Sequence, residues 1–371
     1  MPDQLAFYRF AGTHSEIGRQ YGEACSKVIG RHLELALDKL AGAGIGRDLA
    51  LQTALAYRPF VKEHAAFLDD EIVGMAQGAA LSVAEAYLLQ LRAEVFADVL
   101  GDPAAESECT TFALEPSATL TGEVLAGQNA DLPAIYEELM IVVDFAPTEG
   151  RRILMAVPAG QVSYIGINDS GMAVFANFLH CEGWTRGFPR YLLSRFALEF
   201  PDSESAIAAL RTLPRASSRN ILIVDAAGTA VDFENTPTRD AVIRPRDGVL
   251  AHSNHYVAEP LIDEERTPEL YLHNSRVRLA RIEELIRAEE GEITVAAMAR
   301  IMRDRRDAPH TLSVEARDLP DDAGPPEGHY VTVCSVIAEP AERRLWITAG
   351  APSRSTYHPY TMVGAATPVQ L

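Results

Sequence analysis

Two textures of apolar and polar residues divide the chain near residue 100. From Thr13 onward apolar residues recur every three or four positions, as in "EIGRQYGEACSKVIGRHLELALDKL", the spacing of a helix with one buried stripe. Thr13 followed by Glu16 has the form of a capping box and predicts the helix start there. Gly18 and Gly22 fall four apart on one face, which predicts a close approach by another helix. "LALQTALAYRPFVKEHAAFL" and "SVAEAYLLQLRAEVFADVL" continue the helical pattern until Asp102 and Pro103 break it. From Cys109 the pattern turns to short β-rich runs: "CTTFALEP", "EVLAGQN", "LMIVVDFAP", "RILMAVPA", "SYIGIN" and "GMAVFANFL". Helical stretches interrupt at 189–200, 204–213, 274–289 and 293–304. "NILIVDAAGTAVDFEN" and "YVTVCSVIAEPAERRLWITAG" read as later hairpins. Numerous hairpins with helices in blocks predict an α+β fold of mainly antiparallel sheets flanked by helices, not a doubly wound parallel sheet.

Composition narrows the function. A hydrophobic content of 47% in 371 residues is enough for a large core. The net charge of −19 opposes phosphate backbones and anionic membrane, so neither nucleic acid nor a membrane is expected as a partner. The opening "MPDQLAFYRFAGTHSEIG" has no signal-peptide pattern, and no apolar run approaches the roughly 18 residues of a membrane helix; the expected location is cytoplasmic. No glycine-rich nucleotide loop occurs, and no cofactor is expected. The four cysteines are widely spaced and form no CxxC pair, which speaks against zinc and disulfides.

Cys109 stands where the texture changes. It begins a strand beside Thr110 and Thr111, and the hairpin partner ends in "GQNAD", bringing Asn129 and Asp131. If these strands pair, the polar groups gather at one end of the hairpin, an expensive arrangement when buried unless the groups bond one another or serve a function.

The stretch "CTTFALEPSATLTGEVLAGQNADL" resembles the start of the mature catalytic chain in the N-terminal nucleophile (Ntn) hydrolases. It is similar in particular to the peptidase C45 group of acyl-CoA:6-aminopenicillanic acid (isopenicillin N) acyltransferases, with choloylglycine and penicillin V hydrolases as more distant relatives. "SYIGINDSGMAVFANFLH", "AHSNHY", "NSRVRLARIEELI" and the strand pair before "GAPSRSTYHPY" recur in the same order, and "GTHSEIGRQYGE" fits the helical part. The resemblance implies a four-layer αββα sandwich and self-cleavage between Glu108 and Cys109. Residues 1–108 would then be a helical α chain and 109–371 the catalytic β chain, an αβ heterodimer. It implies attack by the Cys109 thiol on a small N-acyl (amide) substrate, giving a thioester. A free α-amine, with a pKa of about 8, would serve as the base. Asp131 matches the residue that orients that amine, with Asn129 in support; Asn177 and Asn254 match the two asparagines flanking the reacting carbonyl. Thr110, Thr111, Gln128 and His255 are supporting or substrate-binding candidates. No metal or cofactor is implied, though acyl-CoA fits as a co-substrate.

The chain departs from its likeness in three places. Gln128 stands where bile-salt hydrolases carry arginine, which disfavours bile salts and penicillin V. Glu108 replaces the acyltransferase's glycine before the cut. In "PHTLSVEAR" (309–317), Val314 occupies the position of an arginine, and Arg317 follows three residues later. His252 and His255, three apart, lack a further ligand at metal spacing and are expected to support the loop carrying Asn254. Competing readings are a papain-like pair of Cys109 and His255 without a cut, and a non-catalytic binding protein on the same fold.

Overall fold

The computed structural model describes residues 3–103, 109–289, 291–306, 308–316, 330–362 and 364–365. In chain order these form β1 (Phe7–Gly12), α1 (His14–Gly42), α2 (Arg47–Leu55), α3 (Arg58–His64), α4 (Ala66–Gly78), α5 (Val83–Leu88) and α6 (Arg92–Leu100). Then come β2 (Thr110–Leu114), β3 (Leu125–Pro133), β4 (Met140–Pro147), β5 (Ile153–Pro158), β6 (Ile165–Asn168) and β7 (Ala173–Asn177). After α7 (Arg190–Ala197) and α8 (Ser203–Leu210) follow β8 (Arg219–Val224), β9 (Ala230–Asn235), β10 (Asp240–Ile243) and β11 (Val249–His252). The chain closes with α9 (Glu269–Ala288), α10 (Val295–Met302), β12 (Tyr330–Glu339), β13 (Arg344–Ile347), β14 (His358–Thr361) and β15 (Gly364–Ala365).

The strands make two sheets, one of eight in the order β1-β4-β5-β6-β7-β8-β9-β10 and one of seven in the order β11-β2-β3-β12-β13-β14-β15. Every pairing is antiparallel except β1 with β4, which runs parallel. The sheets face each other, with α1, α7 and α8 against the larger and α9 and α10 against the smaller. Alternation along β2 shows how the layers form: Phe112 and Leu114 join Ile282, Ile286, Met298 and Met302 of the α9–α10 layer. Ala113, one step out of phase, belongs to the core between the sheets. This is the αββα arrangement expected from the sequence.

Residues before Cys109 are not wholly helical, contrary to expectation. β1 lies beside β4 in register Phe7 with Val142, so the N-terminal segment supplies an edge strand of the larger sheet. Its apolar side chains, Ile17, Tyr21, Leu68 and Met75 among them, share one core with Val142, Ile153, Val174 and Ile221. Glu108 lies outside the described residues. Among those described, no helix is long and apolar enough to cross a membrane.

The expected cap and helix contact are both present. The Thr13 hydroxyl accepts from the Glu16 N–H while the Glu16 carboxylate accepts from the Thr13 N–H. α1 meets α4 through paired glycines. A Cβ on Gly18 would stand 2.1 Å from the Glu71 carbonyl oxygen, and one on Gly78 would stand 2.1 Å from that of Arg19. Main chain blocks both, and it cannot rotate aside.

Gly18→Ala and Gly78→Ala should therefore each destabilise the fold by about 2–3 kcal/mol, despite alanine's better helix propensity. Gly30→Ala, in the same helix but with open space at its Cβ, should instead stabilise it by roughly 0.5–1 kcal/mol. Urea midpoints of the three variants test the contrast.

Candidate active site

Four chain segments converge on Cys109. β2 starts just after it, and β11 runs antiparallel beside β2 with His252 opposite Thr111, so the turn carrying Asn254 lies at the same sheet end. β3 brings Asn129 opposite Thr110 and Gln128 opposite Thr111. From the facing sheet, β7 ends at Asn177. Cys109 is buried, with 1% of its surface exposed.

The Cys109 carbonyl oxygen is held from two sides. Asn177 Nδ2 donates to it at 3.1 Å and Arg278 Nη1 at 2.7 Å. The orientation of the Asn177 amide follows from its neighbours: Oδ1 accepts from Thr111 Oγ1 at 2.9 Å and from Asn220 Nδ2 at 3.1 Å, which turns the N–H group toward Cys109. Asn220 in turn donates to Asp232 Oδ1 at 2.8 Å. Burial pushes the Asp232 carboxyl up to about 6, against the pull of His252 and Asn220.

Arg278 binds four groups at once. It also donates to Thr110 Oγ1 at 2.7 Å, to Asn254 Oδ1 at 3.0 Å and to Asn274 Oδ1 at 2.5 Å. Asn254 Nδ2 donates to the Phe178 carbonyl at 3.0 Å, and its main-chain N–H to Ser275 Oγ at 2.7 Å.

The thiol faces the other way. Its neighbours are the Tyr164 hydroxyl, 3.8 Å from Sγ, the Gln128 side-chain amide and the Asp131 main-chain N–H. Burial and the Asp131 carboxylate raise the thiol pKa, and these three hydrogen bonds oppose the rise. Asp131 Oδ1 accepts from Thr332 Oγ1 at 2.6 Å, and that hydroxyl accepts from the Val314 N–H at 2.9 Å. The 309–317 stretch thus reaches Asp131 through Thr332; Arg317 lies outside the described residues. A small hollow of about 10 Å³, room for one water at most, lies beside Sγ, lined by Tyr164, Ala176, Phe178, Arg190, Tyr191 and Arg219 among others. A larger one at Ala118, Val249 and Ile286 holds no nucleophile.

Of the sequence candidates, Thr110, Thr111, Gln128, Asp131, Asn177 and Asn254 gather around Cys109. Gln128 also bridges the sheets, donating to the Ala176 carbonyl at 2.9 Å and accepting its N–H at 3.0 Å. Asn129 does not join them. One residue past Gln128, it points to the opposite face of β3 and donates to the carbonyls of Met302 and Leu312 at 3.0 and 2.6 Å. His255 Nδ1 meets the hydroxyls of Ser275 at 2.7 Å and Ser253 at 3.3 Å, and no hydrogen bond joins it to Cys109 among the described residues. His252 bonds Glu234 through Nε2 and the Ser253 carbonyl through Nδ1, both at 2.7 Å. Two acceptors make both ring nitrogens donors; burial works against that charge, but Glu234 and Asp232 raise the pKa.

Arg278, Tyr164 and Arg219 were not singled out from sequence. A signal existed for Arg278: Ser275, Arg278, Ile282 and Ile286 repeat at helical spacing on the buried stripe of α9.

A sequence profile of the family described as acyl-coenzyme A:6-aminopenicillanic acid acyl-transferase matches residues 119–354. The 40 kDa form of acyl-coenzyme A:6-aminopenicillanic-acid-acyltransferase from Emericella nidulans is 27% identical over 307 residues, covering 81% of this chain and 82% of that protein. Penicillin V acylase from Agrobacterium tumefaciens matches in structure with a TM-score of 0.45 at 12% identity, over 69% of this chain and 92% of its own. A variant of conjugated bile acid hydrolase from Clostridium perfringens gives 0.48 at 14%, over 70% and 99%.

His255 carries a pH signature. Burial, then the charges of His252, Arg276 and Arg278, pull its pKa down to about 3. In the unfolded chain it takes a proton near pH 6.5. Between these values acid protonates only the unfolded state, so His255 costs stability as pH falls from about 6.5 toward 3. His255→Gln should flatten that acid-side loss, measured as the melting temperature at pH 7 and pH 4.5 in both proteins.

Proposed function

The chain belongs to the acyl-coenzyme A:6-aminopenicillanic acid acyl-transferase family, and on that premise we propose an amide-acting acyl-transfer enzyme whose nucleophile is Cys109, freed when the precursor cuts itself at Glu108–Cys109. The observation that carries this reading is the treatment of Cys109 itself: its carbonyl is fixed by Asn177 and Arg278 while its thiol stays turned toward a hollow.

In the cut, Cys109 Sγ adds to the Glu108 carbonyl carbon. The C–N bond breaks, the nitrogen takes the thiol proton, and a thioester remains that water hydrolyses. Cys109 then carries a free α-amine, which Asp131 orients. A group that titrates near pH 8 is a competent base at neutral pH, and it offsets the raised pKa of a buried thiol.

In turnover that amine accepts the thiol proton as Sγ attacks the substrate's amide carbon. Negative charge develops on the carbonyl oxygen, and amide N–H donors receive it. Asn254 suits this role because its Oδ1 is held by Arg278 and its Nδ2 uses one hydrogen on Phe178, leaving the other for the oxyanion. Asn177 stands on the opposite side with its orientation fixed. The amine product departs with the proton, and water or an acceptor amine then takes the acyl group from sulfur. The same thioester forms from acyl-CoA by thiol exchange. Residues 1–108 remain bound as the α chain.

A denaturing mass spectrum should give two chains, 1–108 and 109–371, from active protein. Cys109→Ala should give one uncut chain of 40.4 kDa without turnover, whereas Cys25→Ala, Cys181→Ala and Cys334→Ala should cut and turn over normally. An active preparation made only of the full-length species would overturn the reading.

Asn254→Ala should lower kcat by about 10²–10³ with little change in KM, since an oxyanion donor acts mainly in the transition state. His255→Ala should leave kcat within about tenfold of wild type. Steady-state kinetics on the mature chains decide both.

A further inference from the structure

Asp232 has no part in the acyl transfer described above, yet it heads a hydrogen-bond relay that ends on Cys109. It lies in β9, fully buried, as are Asn220, Asn177 and Thr111. Asn220 Nδ2 divides its two hydrogens between Asp232 Oδ1 at 2.8 Å and Asn177 Oδ1 at 3.1 Å. Asn177 Nδ2 then reaches the Cys109 carbonyl oxygen at 3.1 Å.

A side-chain amide has a donor end and an acceptor end of nearly the same shape, so packing alone does not decide which way it turns. The carboxylate does. Ionised, Asp232 can only accept, so Asn220 must face it with Nδ2. That nitrogen also calls for Oδ1 of Asn177, and the Asn177 N–H group is left to point at Cys109. Thr111 does not set this direction, because a hydroxyl both donates and accepts. Its hydrogen, now on Asn177 Oδ1 at 2.9 Å, has the His252 carbonyl as a second acceptor at 3.5 Å. A protonated Asp232 permits the reverse relay: it donates to Asn220 Oδ1, Asn177 turns Nδ2 toward Asn220 and Thr111, and Oδ1 comes to face Cys109.

The charged and titratable groups facing Asp232 are His252 from β11 and Glu234 from its own strand, while β10 sets the apolar Ile243 opposite it. Burial raises its pKa to about 6, so the carboxylate takes up a proton as pH falls through that value. His252, bonded to Glu234 and raised above its usual 6.5, keeps its own proton there. A carboxyl whose pKa is raised by folding costs the fold stability once pH exceeds its unfolded value of about 3.9. The fold gains nothing from this ionised group, so its use lies in the site.

We infer that Asp232 is a positioning residue for acyl transfer: as a carboxylate it directs the Asn177 N–H, through Asn220, toward the developing oxyanion, and on protonation it releases that direction. This rests on the reading of Asn177 as an oxyanion donor to the Cys109 thioester chemistry.

Asp232→Asn keeps the shape but offers both a donor and an acceptor, which leaves the relay undirected. At pH 7.5 it should lower kcat about tenfold, with KM within about twofold and a melting temperature no lower than that of wild type. The ratio of wild-type to variant kcat should shrink to about twofold or less at pH 5, where the wild-type carboxyl is protonated too. Titration of the Cys109 amine is common to both proteins and cancels from that ratio. In an Asn220→Ala background the same substitution should change kcat by less than about twofold. A ratio that stays constant with pH, an equal loss in both backgrounds or a lower melting temperature would overturn the inference and leave the proposed function standing. If no turnover depends on Cys109, the proposed function fails separately, and the side-chain amide NMR signals of asparagine-labelled protein decide this point. Those of Asn177 and Asn220 should shift together in wild type with a midpoint near pH 6, and stay fixed in Asp232→Asn. Wild-type signals that do not move between pH 7.5 and pH 5 overturn it.

Discussion

The main-chain carbonyl of Cys109 is where the two sheets are pinned to each other. It accepts from Asn177 of one sheet and from Arg278, which lies behind the other. Neither donor has water to fall back on, so each bond made there is obligatory, and an unmet partner would cost about 1–3 kcal/mol. That requirement propagates. Arg278 must also satisfy Thr110 and Asn254, which ties the turn after β11 to the start of β2. Asn177 must be held by Thr111 and Asn220, which ties β7 to β2 and β8. A slip of β2 by one residue would put Phe112 where Thr111 belongs and break the whole set.

Behind this first ring lies a second, made of charges. Asp232 holds Asn220, while His252 and Glu234 form an ion pair with both side chains fully buried. Such groups do little for stability by themselves. What they fix is direction: with Asp232 accepting from Asn220, the amides between it and Cys109 have one hydrogen-bonded orientation. In the oxyanion geometry proposed for turnover this fixes the Asn177 side, while Asn254 is fixed separately by Arg278 and the Phe178 carbonyl.

Much of this was legible in the sequence because the physics involved is local. The Thr13–Glu16 cap, the Gly18–Gly22 face and the β2–β3 hairpin each depend on residues a few positions apart. β1 escaped because an edge strand with mixed burial carries little alternation, and Arg9 interrupts what there is. β11 is only four residues long and looks like loop. Asn129 was misplaced by proximity: being next to Gln128 in sequence puts it on the other side of the sheet. Arg278 and Arg219 were hidden for a common reason. An arginine is ordinarily taken for surface, and only helix register or strand burial, with partners far along the chain, shows otherwise.

The parallel edge strand β1 has a consequence in time. β1 leaves the ribosome long before its neighbour β4, so the larger sheet cannot close until the N-terminal segment has waited for the middle of the chain and docked beside it. Residues 5 to 96 and the strands of that sheet share one interior, so neither portion has a finished core without the other. A bond broken at Cys109 would therefore be broken late, in a molecule already assembled, and the fresh chain end would signal that assembly was complete.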